Sequence, residues 1–434
     1  MLLSTKSRAK IYLDITSIKK KDYICKMKEK IYIILFFVCC LLFTGCSKDE
    51  ISGDTTTCIK PENLYSPTAE YDRAGIVLVN SPQEEYTNGD LESVQNEHKQ
   101  YVSLLKNDGI QVYDIAQILP DIPIDSLRLL AKSIVNFNFG NINTSYDKDT
   151  LENKILNHYQ TNELVKFIKL VPTIKLNDAK GTDISINYTN TALTCLIFTR
   201  DQSISTPDGE IIGCMNRDYR KPETKVVDFC YNHIGFKPIY HLKNENSRLE
   251  GGDYLPFGTL AFIANGIRTN MSAIDELMSA DVLGHDTIAV VKDNRNYSHE
   301  MHLDTYFNII DKKLVVMSKD RYYAEKTDNK YLTIDLYTRA PGTKSYMKTE
   351  TSSLIDFLDK RGVKIIPIST DKYGANFLCI GNRHILAVEG QSDDYVKAIN
   401  ENGVTIEWVP FDKILISDGA AHCLTQVLKR EKTY

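Results

Sequence analysis

Short apolar runs alternate with amphipathic stretches along most of the chain. The apolar runs predict β-strands and include AGIVLVN (Ala74–Asn80), TCLIFT, TLAFIA, IAVVK, KLVVM, VKIIPI, ANFLCI and HILAV. Between them, apolar positions three and four residues apart predict helices in LESVQNEHKQYVSLLKNDG, SAIDELMSA and SSLIDFLDKRG. This alternation is typical of an α/β protein, and the short turns in FNIIDKKLVVM and NFLCIGNRHILAV favour mixed sheets.

The stretch from about residue 122 to residue 170 lacks this alternation. It contains DSLRLLAKSIVN and TLENKILNHYQTNELVKFIKLV, which have helical periodicity and no strand-like run. We therefore predict a small helical insertion at about 122–170.

The first 45 residues have the pattern of an export signal. In MKEKIYIILFFVCCLLFTGC (Met27–Cys46), a basic start precedes an apolar run and a small residue before cysteine. The run is shorter than the roughly 20 residues that cross a membrane, and LFTGC resembles a bacterial lipobox, whose cysteine carries lipid. We predict a lipoprotein-type signal peptide at 1–45, with translation from Met1 or Met27 and a lipid on Cys46. Plain secretion is the alternative.

A polar segment with SGDTTT and KPEN follows the predicted lipid and is typical of a flexible tether, at 46–65. Its first residues after the cysteine, SKDE, resemble the acidic surface-export signal of some Gram-negative lipoproteins. We predict an exported protein anchored by lipid to a bacterial membrane, at the outer membrane or the cell surface. The folded body then spans 66–434.

Charge and cysteine usage narrow the function. The formal net charge is −5, and residues 1–45 carry nine Lys or Arg against three Asp or Glu, so their removal leaves −11. So acidic a body does not favour nucleic acid and favours a cationic substrate. No pair of cysteines has C-x-x-C spacing, so neither a zinc ribbon nor a thioredoxin-type site is indicated. The cysteines after the lipidation site are Cys58, Cys195, Cys214, Cys230, Cys379 and Cys423.

Four short segments concentrate acidic, histidine, glycine and cysteine residues beside apolar runs. They are FTRD (Phe198–Asp201), LEGGD (Leu249–Asp253), MHLDT (Met301–Thr305) and GAAHC, which ends at Cys423. Loops at strand ends commonly carry functional groups on a rigid scaffold. Taken singly, each segment is also explained by ordinary structure: a solvated turn, a surface ion pair or an inert buried thiol.

Within these segments the spacing of residues predicts local geometry. On a strand, His302 and Asp304 would project from one face while Leu303 enters the core. The neighbouring HEMH lacks the H-E-x-x-H spacing that places two imidazoles on one helical face, so we predict no metal site. Gly251 and Gly252 permit a close approach between backbone and ligand.

Together, several carboxylates, a histidine and a thiol suit one chemical group. A guanidinium is a planar cation with five donors that pair with carboxylates. A thiolate can add to its carbon, and histidine can supply the proton that lets an amine leave. The residues thus favour a small-molecule guanidine substrate and need no cofactor.

The ordered set of motifs resembles the arginine deiminases, which belong to the guanidine-modifying (amidinotransferase) superfamily with the five-bladed α/β-propeller, or pentein, fold. The resemblance covers about 66–434 and rests, in chain order, on EHKQYVSLLKNDGIQVYDI, FTRD, RKPET, LEGGDYLPFG, GIRTN, MHLDTYFNIID and HCLTQ. It implies repeated ββαβ units in one catalytic domain. The helical insertion lies where arginine deiminases carry a small helical domain.

By position, the resemblance also implies catalytic roles. Cys423 is the nucleophile and His302 the general acid and base. Asp201 and Asp304 bind the guanidinium nitrogens, and Glu250 supports orientation and charge. The implied reaction converts L-arginine and water to L-citrulline and ammonia through a covalent thiouronium.

Substrate-binding roles follow in the same way. Arg220 in RKPET and Arg268 in GIRTN match the arginines that hold the substrate's α-carboxylate, and Gly251 and Gly252 complete the predicted substrate-binding set. Dimers or tetramers are frequent in the family, so the resemblance makes a homo-oligomer possible, but the sequence does not determine the oligomeric state.

Three positions depart from the family pattern. Cys195 stands where an asparagine usually contacts the substrate's amino-acid end, Gln202 replaces a proline, and FDKILISDGAA lacks the arginine usual in this loop. The first and third changes concern recognition of the α-carboxylate. Agmatine, peptidyl arginine and modified arginine therefore stay open as substrates. An inactive surface lipoprotein that only binds guanidino compounds is the alternative from a different class.

Overall fold

The computed structural model describes residues 7–10, 64–140, 147–177, 183–189 and 191–432. Most of the predicted signal peptide and tether, including Cys46, lies outside these residues. The last two residues of the predicted tether, Leu64 and Tyr65, form a short strand instead. Within the described part of the chain, no helix is long and apolar enough to cross a bilayer.

Strands and helices alternate through the described residues. The strands are β1 (Ser7–Lys10), β2 (Leu64–Tyr65), β3 (Arg73–Val79), β4 (Gln111–Asp114), β5 (Asn136–Asn138), β6 (Thr173–Leu176), β7 (Asp183–Asn187), β8 (Ser203–Thr206), β9 (Gly209–Ile212), β10 (Tyr240–His241), β11 (Tyr254–Phe257), β12 (Leu260–Asn265), β13 (Thr287–Lys292), β14 (Phe307–Asp311), β15 (Leu314–Ser318), β16 (Thr333–Arg339), β17 (Tyr346–Ser353), β18 (Lys364–Ile368), β19 (Leu378–Gly381), β20 (His384–Val388), β21 (Thr405–Val409) and β22 (Gln426–Glu431). The helices are α1 (Leu91–Asn107), α2 (Ile115–Asp121), α3 (Ile124–Ile134), α4 (Lys148–Leu156), α5 (Thr161–Leu170), α6 (Lys221–Ile234), α7 (Met271–Ala280), α8 (Lys319–Tyr322), α9 (Leu354–Asp359) and α10 (Asp393–Asn400). The predicted α/β class is confirmed.

Five sheets repeat one arrangement. In each, an antiparallel pair is extended by a parallel strand: β22-β3-β4, β8-β9-β10, β11-β12-β13, β14-β15-β18 and β19-β20-β21. Parallel neighbours need a crossover, and α1, α6, α7 and α10 provide it in four of the sheets. The remaining crossover, from β15 to β18, is longer. It contains the hairpin β16-β17, which extends the β11-β12-β13 sheet. The C-terminal strand β22 pairs with β3, so both ends of the body share one sheet.

The predicted insertion at about 122–170 contains helices α3, α4 and α5. It also contains β5, which we did not predict. This strand has one apolar residue, Phe137, among three, so it leaves no periodic signal; it pairs with β6, which pairs with β7. The helices pack on α6 through a buried cluster that includes Leu127, Leu164, Phe167 and Val226.

The apolar runs are strands where both faces are buried. In β12 five consecutive residues are buried, which explains a continuous rather than alternating apolar run. TCLIFT is an exception, because Thr194–Ile197 forms a 3-10 helix rather than the predicted strand. A short apolar run does not distinguish the two, since either can lie in a core.

Candidate active site

One segment from each of the five sheets contributes to a single site. Each segment immediately precedes the first strand of its antiparallel pair, β8, β11, β14, β19 or β22. The polar residues that these segments supply are Asp201, Glu250 with Asp253, His302 with Asp304, Asn376, and His422 with Cys423. Four of the segments were singled out from the sequence. The fifth, which carries Asn376, was not.

Cys423 lies in a turn that Asn376 holds in place. The Asn376 side chain accepts hydrogen bonds from the backbone N–H groups of Ala420 (3.0 Å) and Cys423 (3.2 Å). Its amide nitrogen lies 3.1 Å from Cys423 Sγ. No signal in the sequence indicates this role, because Asn376 lies inside ANFLCI, which we predicted as a strand and which begins as a strand only at Leu378.

Cys423 is a buried residue, with 4% of its surface exposed. Burial raises its pKa well above the usual value, and the negative charges of Asp304 and Asp201 raise it further. Cys423 is therefore a neutral thiol in the ligand-free site. A cation bound beside Asp201 and Asp304 would reverse this effect, because an opposite charge favours the thiolate.

His302 is buried and paired with Glu250. Its Nε2 lies 2.8 Å from Glu250 Oε2, and its Nδ1 lies 3.7 Å from Asp201 Oδ1. Burial alone would lower the pKa of His302, but Asp201, Glu250 and Asp253 raise it to about 10. Conversely, burial alone would raise the pKa of Glu250, but His302, Arg220 and Arg268 lower it to about 2. The imidazolium is thus the form of His302 at neutral pH.

The turn with His302 has a different geometry from the predicted strand. Leu303–Thr305 forms a 3-10 helix that His302 caps, so His302 and Asp304 do not share a strand face. Asp253 holds this turn by accepting the backbone N–H of Leu303 at 3.0 Å. Burial raises the pKa of Asp253 to about 7.

Gly251 and Gly252 are required for packing rather than for contact with the cavity. A Cβ on Gly251 would lie 1.9 Å from the carbonyl oxygen of Arg200. A Cβ on Gly252 would lie 2.8 Å from the ring of His302. Neither glycine is among the residues that line the cavity of Cys423, so the structure supports a role in positioning, and their place in substrate binding stays a prediction.

Asp304 connects Cys423 to His422. Asp304 Oδ2 lies 2.7 Å from His422 Nδ1 and 3.7 Å from Cys423 Sγ. Its other oxygen, Oδ1, is buried and has no hydrogen-bond partner among the described residues. Asp201 Oδ1 is likewise buried and has no hydrogen-bond partner among these residues. Buried polar atoms are nearly always hydrogen-bonded, so two unpaired carboxylate oxygens beside one thiol indicate a site for a ligand with several donors.

Arg220 does not have the free donors that we predicted for a carboxylate-binding residue. Its nitrogens bond to Asp201 Oδ2 (2.8 Å), Glu223 Oε2 (2.9 Å) and the carbonyl oxygen of Cys195 (3.3 Å). Gln202 in turn donates to Glu223 at 2.7 Å. Arg220 therefore positions Asp201. The pair Arg220–Glu223 in RKPET, three residues apart at a helix start, is the sequence signal for this arrangement.

Arg268 fits the predicted role better. Its Nε and Nη1 are buried and have no hydrogen-bond partner within the part of the chain that the structure describes. Nη1 lies 3.6 Å from Glu250 Oε1, too far for a hydrogen bond. Arg268 thus offers donors for an anion.

These residues surround a cavity of about 230 Å³. Its inner end, defined by Asp201, His302 and Cys423, is buried. Its outer end, defined by Tyr219, Ile416 and Asp418, is open to solvent, and Arg268 lines the same cavity. Cys195 lines it too; burial raises the pKa of its thiol to about 11, which keeps it neutral.

Asp201, Glu250 and His302 also bring potential metal ligands within 4.8 Å of one another. A metal binds the neutral imidazole, however, whereas the raised pKa of His302 keeps both ring nitrogens protonated. The residues present therefore fit an ion-paired acid better than a metal ligand set. A buried thiol, an imidazolium and carboxylates thus lie together at one cavity.

Comparison with known proteins identifies the family. The arginine deiminase family model matches residues 90–430, and the chain belongs to the arginine deiminase family of enzymes. The arginine deiminase of Borreliella afzelii is 26% identical over 417 residues, which cover 86% of this chain and 98% of that protein. An arginine deiminase of Halobacterium salinarum is 25% identical over 321 residues, covering 55% of this chain and 65% of that protein.

Solved structures agree on the fold. The substrate-bound N-terminal domain of ArgZ, an arginine dihydrolase from the ornithine-ammonia cycle in cyanobacteria, superposes with a TM-score of 0.50 at 12% identity, covering 81% of this chain and 97% of that domain. AgrE, in complex with ornithine and NAD+, gives a TM-score of 0.51 at 12% identity, covering 82% of this chain and 40% of that chain. At this identity the similarity concerns the α/β fold alone.

Proposed function

We propose that this enzyme hydrolyses the guanidinium group of free L-arginine to L-citrulline and ammonia, with Cys423 as the nucleophile. The observation that carries the proposal is that two buried carboxylate oxygens near the thiol, Asp201 Oδ1 and Asp304 Oδ1, have no hydrogen-bond partner within the described residues. His302 Nδ1 lies 3.7 Å from the first of them, too far for a hydrogen bond. A guanidinium supplies a donor for each oxygen and a positive charge for both carboxylates. The choice of L-arginine as substrate is supported by the relatives, which are named arginine deiminases.

Binding prepares the nucleophile. The cation compensates the charges that raise the pKa of the Cys423 thiol, so the thiol releases its proton to solvent and the thiolate forms beside the guanidinium carbon. Holding the carbon against sulfur in a buried site replaces a bimolecular encounter by a positioned one. The same carboxylates that suppress the thiolate in the free enzyme therefore release it when substrate binds.

The chemical steps then use one histidine twice. Sγ forms a bond to the guanidinium carbon, and the protonated His302 gives its proton to the departing nitrogen, which leaves as ammonia. The product of this step is a cationic thiouronium on Cys423, with His302 neutral. Water next adds to the same carbon while His302 takes its proton. Collapse of this adduct breaks the carbon–sulfur bond, the hydroxyl proton of the adduct restores the Cys423 thiol, and citrulline leaves.

The test measures citrulline and ammonia from L-arginine, agmatine and a peptidyl arginine. We expect the highest kcat/KM for L-arginine and no turnover by a Cys423→Ser variant that keeps its fold. A Cys379→Ser variant is a matched control, because Cys379 is also buried but lies in β19 outside the cavity. Turnover by Cys423→Ser at the wild-type rate would contradict the proposal. So would wild-type protein that binds guanidines without releasing ammonia.

We also infer that the five sheets are arranged around one axis as a five-bladed propeller. In support, each of the five sheets contains the same three-strand unit, an antiparallel pair extended by a parallel strand, and the segment before the first strand of each pair reaches the same site. An experimental density map of the purified protein would test this arrangement. Five sheets without common rotational symmetry would contradict it.

For location, we propose export and lipid attachment through Cys46. The support is the predicted signal at 1–45 and its lipobox-like ending. Mass spectrometry of the mature N-terminus in the native host should find a lipidated Cys46. An unmodified N-terminus at Met1 or Met27 would overturn the proposal. Sedimentation of the same material would distinguish a homo-oligomer from a monomer.

A further inference from the structure

The charges at the inner end of the cavity are paired with one another. Arg220 Nη1 lies 2.8 Å from Asp201 Oδ2, and His302 Nε2 lies 2.8 Å from Glu250 Oε2. Each pair is buried, so neither member can turn towards another partner without leaving a buried charge alone. Apart from the carboxylates that are proposed to bind the guanidinium, the cavity lining has two charged side chains with hydrogen-bonding atoms that the described residues leave without a hydrogen bond, Arg268 and Asp418.

Asp418 is held in place with one oxygen unused. Its backbone is left-handed (φ 64°), the hydroxyl of Tyr373 donates to Oδ1 at 2.8 Å, and His299 Nδ1 lies 3.6 Å from the same oxygen. Neither contact involves Oδ2. The side chain is 46% exposed and lines the cavity with Cys423, five residues further along the chain.

We propose that Asp418 binds the ammonium group at the end of the substrate opposite the guanidinium, and so determines specificity. This proposal rests on the proposed function and names what the outer end recognises. Free arginine carries an ammonium and a carboxylate on one carbon, and Asp418 and Arg268 offer one charge of each complementary sign. Agmatine carries only the ammonium. In a peptide the same nitrogen is an uncharged amide, which gives Asp418 no charge to pair with.

Three guanidine ligands distinguish the contribution of the Asp418 contact from that of the Arg268 contact. L-arginine has both end groups, agmatine lacks the carboxylate, and 5-guanidinopentanoate lacks the ammonium. Affinity is measured by titration calorimetry on the Cys423→Ser protein, so that turnover does not contribute. Asp418→Asn keeps the shape and suits the left-handed backbone, because asparagine adopts that conformation readily. Asp412→Asn, an exposed residue of the same loop that lies outside the cavity lining, is the matched control.

We expect Asp418→Asn to weaken L-arginine and agmatine about fivefold each, a modest effect because the carboxylate is half exposed. Its affinity for 5-guanidinopentanoate should be unchanged or slightly higher. Asp412→Asn should bind all three ligands like the parent protein. Equal affinities for L-arginine and agmatine before and after Asp418→Asn would overturn the proposal, as would an equal loss for all three ligands.

The experiments distinguish a failure of the proposed reaction from a failure of the proposed Asp418 subsite. Protein with Cys423 intact that shows this ligand pattern but makes no citrulline would overturn the reaction and keep the Asp418 subsite. Protein that makes citrulline from L-arginine with unchanged KM after Asp418→Asn would overturn the subsite and keep the reaction. Absence of binding by all three guanidines would overturn both.

Discussion

The two ends of the cavity are built on different principles. At the inner end, Asp201, His302 and Cys423 are at most 4% exposed and are held by hydrogen bonds from several sheets. At the outer end, Tyr219 is 59% and Ile416 is 63% exposed. A buried charge is costly unless it is paired, so the inner end constrains which side chains can occupy it. The outer end can change with little cost to folding, which is why we propose that substrate preference is set there.

Neutralising a charge at the inner end should have the largest effect and tests most strongly whether the two ends differ. We expect Asp304→Asn to reduce kcat/KM for L-arginine about a thousandfold, because it removes a buried carboxylate that would pair with the guanidinium, and truncating one partner of such a pair at a binding site costs about 4 kcal/mol. Steady-state kinetics would check this. Asp359→Asn, an exposed residue at the end of α9, should have no effect. A loss below about tenfold for Asp304→Asn would show that the inner end does not depend on its carboxylates.

Replacing Glu250 by Gln should reduce kcat/KM by about a hundredfold, a typical contribution of acid–base catalysis. Glu250 helps to raise the pKa of His302 to about 10, so its loss lowers that pKa. The protonated acid is present below the folded pKa and is lost as pH rises through it. The alkaline limb of the pH–rate profile should therefore move to lower pH. An unchanged limb would assign that limb to another group.

The Cys423 turn gives a smaller expected effect. Asn376→Ala removes two acceptors from buried backbone N–H groups and the amide beside Sγ. We expect a loss of about 2–3 kcal/mol in the free energy of unfolding and roughly a tenfold fall in kcat. Urea unfolding and kinetics would measure these. Asn400→Ala, at the exposed end of α10, is the control. Full stability in Asn376→Ala would refute its positioning role.

The smallest effect should come from an aromatic residue at the outer end. Tyr219→Ala removes a largely exposed side chain, and surface substitutions usually change free energies by less than about 0.5 kcal/mol. KM for L-arginine should therefore change by no more than about twofold. A tenfold rise in KM would show that the outer end closes over the substrate and is not a passive rim.

Much of the fold was predictable from local pattern. The strands were found because they are buried on both faces and read as unbroken apolar runs, as in β12. TCLIFT was wrong because an apolar 3-10 helix has the same pattern. β5 was missed because its stability comes from pairing with β6, which its own three residues do not encode.

The candidate site was predictable in part. Residue types that chemistry requires, such as Cys423 and His302, were visible as motifs. Asn376 was not, because its role depends on a turn 47 residues further along the chain. The pairing of Arg220 was not visible in the sequence, because it is the fold that brings Asp201 to its guanidinium. Its predicted contact with the substrate's carboxylate stays a prediction.

The central claim is that carboxylates flanking Cys423 aim a guanidinium carbon at its sulfur. Acid-quenched turnover of L-arginine, followed by mass spectrometry of the peptide that contains Cys423, tests it most directly. We predict a transient adduct on Cys423 with the mass of arginine less ammonia, which is absent from Asp304→Asn. Citrulline formation with no adduct on Cys423 at any quench time, or an adduct on Cys195 instead, would contradict the claim.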